Sequence, residues 1–277
     1  MSSNLTFPDF RVIPNLYIKN NSLVQGINLE GLRVLGEPEV FAKLYYENGA
    51  DELIYHDVVA SLYGQNTLFE IVEKTAKKIF IPLTVGGGIR SVEQIKKILS
   101  CGADKISLNS AAVKNPNFIT ECAQIFGTST ISINIQTNKI NDEYYVFTET
   151  GRNNSGKKLI DWMEQVQSYG AGEIVLTSVL KEGTGKGVDT ELLKNLQSNI
   201  HIPLIIQGGI GDINTVINLK NDNRFSGAAI SSALHYYYLT KIKNSVQSFG
   251  NKDFIMGLRE QNDRKQFSLP DLKRKIK

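Results

Sequence analysis

The sequence predicts an α/β protein, a closed (βα)8 barrel of the TIM type with two similar halves. Three observations predict it. Short β-rich runs alternate with amphipathic helical runs along most of the 277 residues, and parallel strands need such helical crossovers. The alternation recurs eight times, the number that closes this kind of barrel. Finally, segments repeat at a fixed spacing. "GADELIYHDV" at 49–58 returns as "GAGEIVLTSV" at 170–179, and "IFIPLTVGGGI" at 79–89 returns as "IHIPLIIQGGI" at 200–210, each 121 residues later. "SLNSA" at 107–111 and "AISSA" at 229–233 repeat at 122, which one inserted loop residue accounts for. An open doubly wound sheet is the other architecture that the alternation allows.

The first strand spans 11–17, with Val12, Ile13 and Leu16 as apolar positions; Ile18 continues it and Asn20-Asn21 marks a turn back. Further strands are expected at 52–57, 81–86, 104–109, 130–136, 173–178, 203–207 and 226–231. Between them, "EPEVFAKLYYENG", "SVEQIKKILSCG" and "DWMEQVQSYG" have helical periodicity, each closed by a glycine where a C-cap belongs. The barrel domain is placed at 1–257. Residues 258–277 form a basic, polar extension in which Pro270 argues against a helix, leaving a solvated tail or a docking segment.

Composition narrows the class. Hydrophobic residues make up 41% and charged residues 21%, enough for a sizeable core and unlike a disordered chain. A net charge of +3 is too mild to argue for nucleic acid. No apolar run is long enough to cross a membrane, and "MSSNLTFPDF" lacks the basic and apolar regions of a signal peptide. The expectation is a cytoplasmic chain with Cys101 and Cys122 as free thiols. No His/Cys cluster has metal-ligand spacing, so neither metal nor cofactor is expected.

Two glycine-rich turns stand out. Gly86-Gly87-Gly88 and Gly208-Gly209 each follow a strand and precede a helix. Glycine lets backbone N–H groups approach an anion closely. One unit later come Asn109-Ser110 and Ser231-Ser232, which can donate further hydrogen bonds. The repeat therefore presents two phosphate cradles, for a ligand phosphorylated at both ends; a plain tight turn is the other reading of each. His56-Asp57 ends the second strand, but adjacent strand residues face opposite ways. His201 is expected at the surface, and His235 in packing.

The stretches "VGGGIRSVEQIKKILSCGADKISLNSAAVKNP", "YVFTETGRNNSGKKLIDW", "GAGEIVLTS" and "EGTGKGVDTELL" resemble the cyclase subunit of imidazole glycerol phosphate synthase, from about Arg11 to Tyr236. The resemblance implies a half-barrel repeat with two phosphate sites, adding Gly183 to the residues above. It implies a glutaminase docked at the barrel bottom, and ammonia passing up through the barrel. A gate of Arg11, Glu52, Lys105 and Glu173 follows from the same likeness, as does Asp104 facing the glutaminase. A buried salt-bridge cluster is the other reading of those four residues. Thr84, Ser107 and Thr177 would line the path.

The same likeness implies two acid/base aspartates, and both are absent: Tyr17 and Gln136 stand in their places. Losing one acid or base costs about 10²–10⁴ in rate. A loop lysine is replaced by Gln25, and two acidic loop positions carry Leu180 and Glu182. This pattern is most similar to paralogues from surface-polysaccharide gene sets. That implies a glutaminase and an ATP-dependent sugar amidotransferase as partners, with an N-acetyl group converted to an acetamidino group. Two other readings stay open: a working cyclase of histidine biosynthesis, and a phospholigand-binding scaffold.

Overall fold

The computed structural model describes residues 9–59, 68–196, 199–242 and 265–277. In chain order, β1 (Arg11–Lys19) is followed by a hairpin, β2 (Ser22–Ile27) and β3 (Glu30–Gly36), and by α1 (Pro38–Glu47). Next come β4 (Leu53–Asp57), α2 (Leu68–Ala76), β5 (Leu83–Gly86), α3 (Val92–Ser100), β6 (Lys105–Leu108), α4 (Ser110–Lys114) and α5 (Asn117–Phe126). The second half begins with β7 (Ile131–Ile140), a hairpin of β8 (Glu143–Thr148) and β9 (Asn153–Lys158), and α6 (Leu159–Ser168). It continues with β10 (Glu173–Ser178), α7 (Thr190–Asn195), β11 (Leu204–Gln207), α8 (Ile213–Lys220), β12 (Gly227–Ile230), α9 (Ser232–Leu239) and α10 (Leu269–Ile276).

Eight parallel strands, β1, β4, β5, β6, β7, β10, β11 and β12, pair in a closed ring. Arg11 pairs with Gly227 where first and last strands meet, and Glu173 pairs with Ser132 where β10 meets β7. Closure rules out the open sheet. Alternation decides which side chains go inside. On β1, Val12, Leu16 and Ile18 pack outward into the large core shared with the helices, while Ile13 belongs to a separate interior cluster with Ile54, Val175, Ile205 and Ala229. The helices turn apolar stripes inward. In α3 these are Val92, Ile95 and Ile98, and the Ser91 side chain caps the helix by accepting from the Gln94 N–H.

The hairpins occupy corresponding places in the two halves, after the first and fifth barrel strands. Asn20 and Asn21 have φ of 47° and 63°, Asn141 and Asp142 of 48° and 66°. Positive φ at both central residues matches the twist of a two-residue hairpin loop, and Asn or Asp tolerates it best. Leu29 also has positive φ (63°) and is held there by burial among Tyr17, Val24, Val58 and Val179.

The C-terminal residues correct one expectation. Residues 258–264 lie outside the described residues, but 269–276 form a helix, and Pro270 starts it instead of breaking it. In the first turn its missing N–H has no helical partner to lose. Leu269, Leu272 and Ile276 are buried in the main core. The Leu269 N–H donates to the Tyr238 hydroxyl, Lys220 bonds the Ile276 carbonyl, and Lys273 holds both Asp51 oxygens at 2.6 and 2.7 Å. Thus α10 lies along α8, with its foot against the loop after α1. It closes the helical shell rather than trailing in solvent.

Candidate functional site

The barrel interior can be followed from the strand N-termini, the floor, to the C-terminal mouth. At the floor, four side chains from four strand starts form a ring. Arg11 Nη1 lies 2.7 Å from Glu52 Oε1, and Nη2 lies 2.7 Å from Glu173 Oε2. The second contact is an ion pair by distance without aligned hydrogen-bond geometry. Lys105 Nζ closes the ring at 3.1 Å from Glu52 and 3.5 Å from Glu173. Burial opposes the Arg11 charge, and Glu173 and Glu52 more than offset it, so its pKa rises. Ser132 donates to the other Glu173 oxygen at 3.3 Å. Beside the ring, Asp104 accepts the Leu83 N–H at 2.8 Å, and Asp51 accepts the Val12 N–H at 2.7 Å. Each aspartate thereby anchors the start of a barrel strand.

Above the ring come Ile13, Ile54, Val175, Ile205 and Ala229, with Thr84 among them. The Thr84 hydroxyl is buried without a partner. Next is a polar cage. His56 Nδ1 is 2.9 Å from Asn15 Oδ1, and Nε2 is 3.1 Å from Ser107 Oγ and 3.3 Å from Asn134 Nδ2. Thr177 donates to Asn134 Oδ1 at 3.1 Å. Burial lowers the His56 pKa to about 4, so the ring is neutral near pH 7. A proton on Nδ1 then satisfies all three contacts. The sequence does not single out Asn15 or Asn134 as site residues; the available signal is alternation, since Asn15 shares the inward face with Ile13 and Tyr17, and Asn134 lies between the outward Ile133 and Ile135.

At the mouth, Tyr17 and Gln136 occupy the barrel strand ends but do not form an acid/base pair. The Tyr17 hydroxyl accepts from Gln207 Nε2 at 2.5 Å. Burial, then the nearby Glu182 carboxyl, drives its pKa well above the phenol value. Gln136 is 8% exposed, and its Oε1 has no partner. Asp57 turns back to accept the Val59 N–H at 2.9 Å, while His56 points inward.

The two glycine turns differ. Beside the first, a cleft of about 70 Å³ opens to solvent, lined by Gly87, Gly88, Asn109, Ser110, Tyr17 and Gln136 among others. Gly87 has φ of 105°, and a Cβ there would meet the Asp57 carbonyl at 2.3 Å, so only glycine fits. At the second turn, Ser231 donates to Glu182 Oε1 at 2.7 Å and the Gly187 N–H donates to the Gly209 carbonyl at 2.7 Å. Gly183 packs so closely under Gly26 that a Cβ would fall 2.0 Å from its carbonyl. Glu182 is fully enclosed; burial raises its pKa against hydrogen bonds from Ser231, Gln207, Gln25 and Tyr17. Ser232 is half-buried at the start of α9.

Leu180 is exposed, and His201 lies exposed near Gln167. His235 is fully buried, its Nδ1 2.5 Å from the Tyr45 hydroxyl and its Nε2 3.0 Å from the Asn15 carbonyl. Among the described residues, no group of three His, Cys, Asp or Glu side chains is arranged to hold a metal ion. Among them, too, no helix is long and apolar enough to cross a membrane.

A closed ring of eight parallel strands with helical crossovers, a charged floor and a mouth at its strand ends defines a (βα)8 barrel protein. A family model described as "Histidine biosynthesis protein" matches residues 11–240, and the chain belongs to that family. It is 49% identical over 204 residues to imidazole glycerol phosphate synthase subunit HisF of Legionella pneumophila, covering 73% of this chain and 96% of the relative. It is 40% identical over 242 residues to the protein of that name in Natranaerobius thermophilus, covering 87% and 96%. The likeness to the one in Sulfurisphaera tokodaii is 44% over 201 residues, covering 73% and 81%.

Proposed function

We propose that this chain is the ammonia-conducting barrel subunit of a glutamine-dependent synthase of the HisF type, working with a glutaminase docked on its floor. The observation that carries this is the ring of Arg11, Glu52, Lys105 and Glu173 beneath a column of small polar groups. Ammonia is neutral and small. The apolar belt above the ring admits it at little cost, whereas burying an ammonium ion there would cost several kcal/mol. Thr84, Ser107, Thr177 and the neutral His56 then offer hydrogen bonds toward the mouth. Phe80, 83% exposed after α2, adds an apolar contact for the glutaminase on the same side.

The relatives' names favour ring closure in histidine biosynthesis as the use of that ammonia. The mouth favours a second reading. Neither Tyr17 nor Gln136 can exchange a proton near neutral pH, which suits delivery of ammonia to another protein. In this reading that protein is an ATP-dependent amidotransferase that turns an N-acetyl sugar into an acetamidino sugar for a surface polysaccharide.

Glutaminase activity of the co-expressed partner, with and without this chain, tests the shared core of both readings. Stimulation is expected; no binding and no stimulation would sink the proposal. Rescue of a cyclase-deficient histidine auxotroph separates the readings: growth supports ring closure, and failure to grow supports delivery.

A further inference from the structure

We infer that Asn15 and Gln207 bind one molecule of neutral ammonia inside the barrel, and that His56 is the positioning residue that aims Asn15 at it. The inference deepens the proposed function and rests on it in one respect, that ammonia is the cargo of the bore.

A one-way chain of hydrogen bonds leads to the site. The Thr177 hydroxyl donates to Asn134 Oδ1, which turns the Asn134 amide nitrogen toward His56 Nε2 at 3.3 Å. The Ser107 hydroxyl reaches the same ring nitrogen at 3.1 Å. With two donors at Nε2, the proton of the neutral ring sits on Nδ1 and is donated to Asn15 Oδ1 at 2.9 Å. The ring fits there only because Gly86 has no side chain: a Cβ would lie 2.7 Å from it. With its oxygen held by His56, Asn15 must present its amide nitrogen elsewhere. That nitrogen lies beside the Tyr17 hydroxyl, whose ionised form it would favour, yet it has no hydrogen-bond partner.

A second chain ends in the opposite sense. Gln207 Nε2 donates to the Tyr17 hydroxyl at 2.5 Å, and that hydroxyl donates to Glu182. Gln207 Oε1 is left buried without a partner. Asn15 and Gln207 are both buried. The strand between theirs, β12, contributes only the methyl group of Ala229, which pairs with Gln207 on one side and Ile13 on the other. An unpartnered donor and an unpartnered acceptor thus flank a small side chain and share Tyr17 as a neighbour.

Buried polar groups are as a rule hydrogen-bonded, so this pair calls for a ligand that both accepts and donates. Ammonia does both: its lone pair accepts from Asn15, and one N–H donates to Gln207 Oε1. Ammonium has no lone pair, and would set its charge against the Asn15 N–H in a bore walled by Ile13, Val175 and Ile205. The unpartnered Thr84 hydroxyl lies nearer the floor and the unpartnered Gln136 Oε1 at the mouth. The site therefore stands between two further stops for the same molecule.

The probe is ammonium chloride, with potassium chloride as the salt control, added to the full chain without glutamine or glutaminase. Backbone and side-chain amides are followed by heteronuclear NMR. Titrations run at two pH values about one unit apart, both below the pKa of ammonium, so free ammonia differs about tenfold at equal total. Expected are saturable shifts at the Asn15 and Gln207 side chains and at the Ala229 amide. Half-saturation should coincide at the two pH values when expressed as free ammonia, and differ about tenfold when expressed as total. Asn15→Leu should abolish the Ala229 shift, and His56→Leu should raise half-saturation about tenfold. The His235 ring signals report that each variant is folded; a merely structural His56 would leave the half-saturation of the folded variant unchanged. No saturable shift, a midpoint that follows total ammonium, shifts confined to surface residues, or variants that bind as the unaltered chain does would each overturn the inference. Glutaminase stimulation without ammonia binding would remove this site alone, and binding without stimulation would remove the proposed partner alone.

Discussion

Replacing Arg11 by methionine tests the floor ring most directly. The guanidinium bridges two carboxylates at 2.7 Å each, and the three side chains are only 13%, 9% and 6% exposed. Methionine keeps much of the stem and removes the charge. What remains is one cation, Lys105, at 3.1 and 3.5 Å from two carboxylates. Removing one member of a buried pair costs about 3–5 kcal/mol, because the partner is left desolvated and unpaired. Since Lys105 still reaches both glutamates, the lower end applies, about 3 kcal/mol. Equilibrium urea unfolding measures it as a shift in midpoint at constant slope. The double variant Arg11→Met with Glu173→Gln restores charge balance and should recover about half of the loss, a coupling of the size found between contacting residues. A loss below about 1 kcal/mol in the single variant, or strict additivity in the double, would refute the ring as a coupled unit.

Three further outcomes are expected. Leu272→Ala should destabilise by about 3 kcal/mol as a buried leucine does, measured by the same urea titration; a change under about 0.5 kcal/mol would return α10 to the status of a solvated tail. Tyr17→Phe should cost about 1–2 kcal/mol, measured by the same titration, because it removes the acceptor of one Gln207 N–H and a donor to the buried Glu182; no loss would refute that hydroxyl's part in the network. Burial lowers His56 to about 4 and His235 to about 3, so both are neutral in the folded protein while the unfolded chain protonates near 6.5. Stability is therefore full above about pH 6.5 and is lost as pH falls toward 4, by about 2 kcal/mol per histidine at pH 5. A His56→Gln variant should show a correspondingly flatter stability profile between pH 7.5 and pH 5.

The barrel was legible in the sequence because its signals are local. Val12-Ile13 and "IPLTVGGG" carry a strand and its punctuation within a few residues, and the repeat supplied the count. Other features needed the closed ring. β9 reads "NNSGKK", exposed and polar, with no alternation to mark it; only its pairing with β8 makes it a strand. In "LPDLKRKI" three apolar residues are set among charges, and the proline that argued against a helix turns out to begin it. The floor positions were identified through a resemblance, whereas the cage around His56 is assembled from four different strands. Ser231 and Glu182 meet across 49 residues, and no pattern in either segment announces the contact.

The floor ring also bears on how two similar halves recognise each other. Shifted by the repeat, Arg11 corresponds to Ser132, Lys105 to Gly227, and Glu52 to Glu173. The first half brings two cations and one anion, the second a single anion. Two copies of the first half would meet with an excess of positive charge, two copies of the second with facing carboxylates and no cation. Only the unlike pair is neutral. Steric fit agrees: a Cβ at Gly227 would stand 2.8 Å from the Arg11 carbonyl, leaving no room for a second lysine beside the arginine. The charges of the ring balance because the two halves differ: the first half's surplus cation meets the second half's carboxylate.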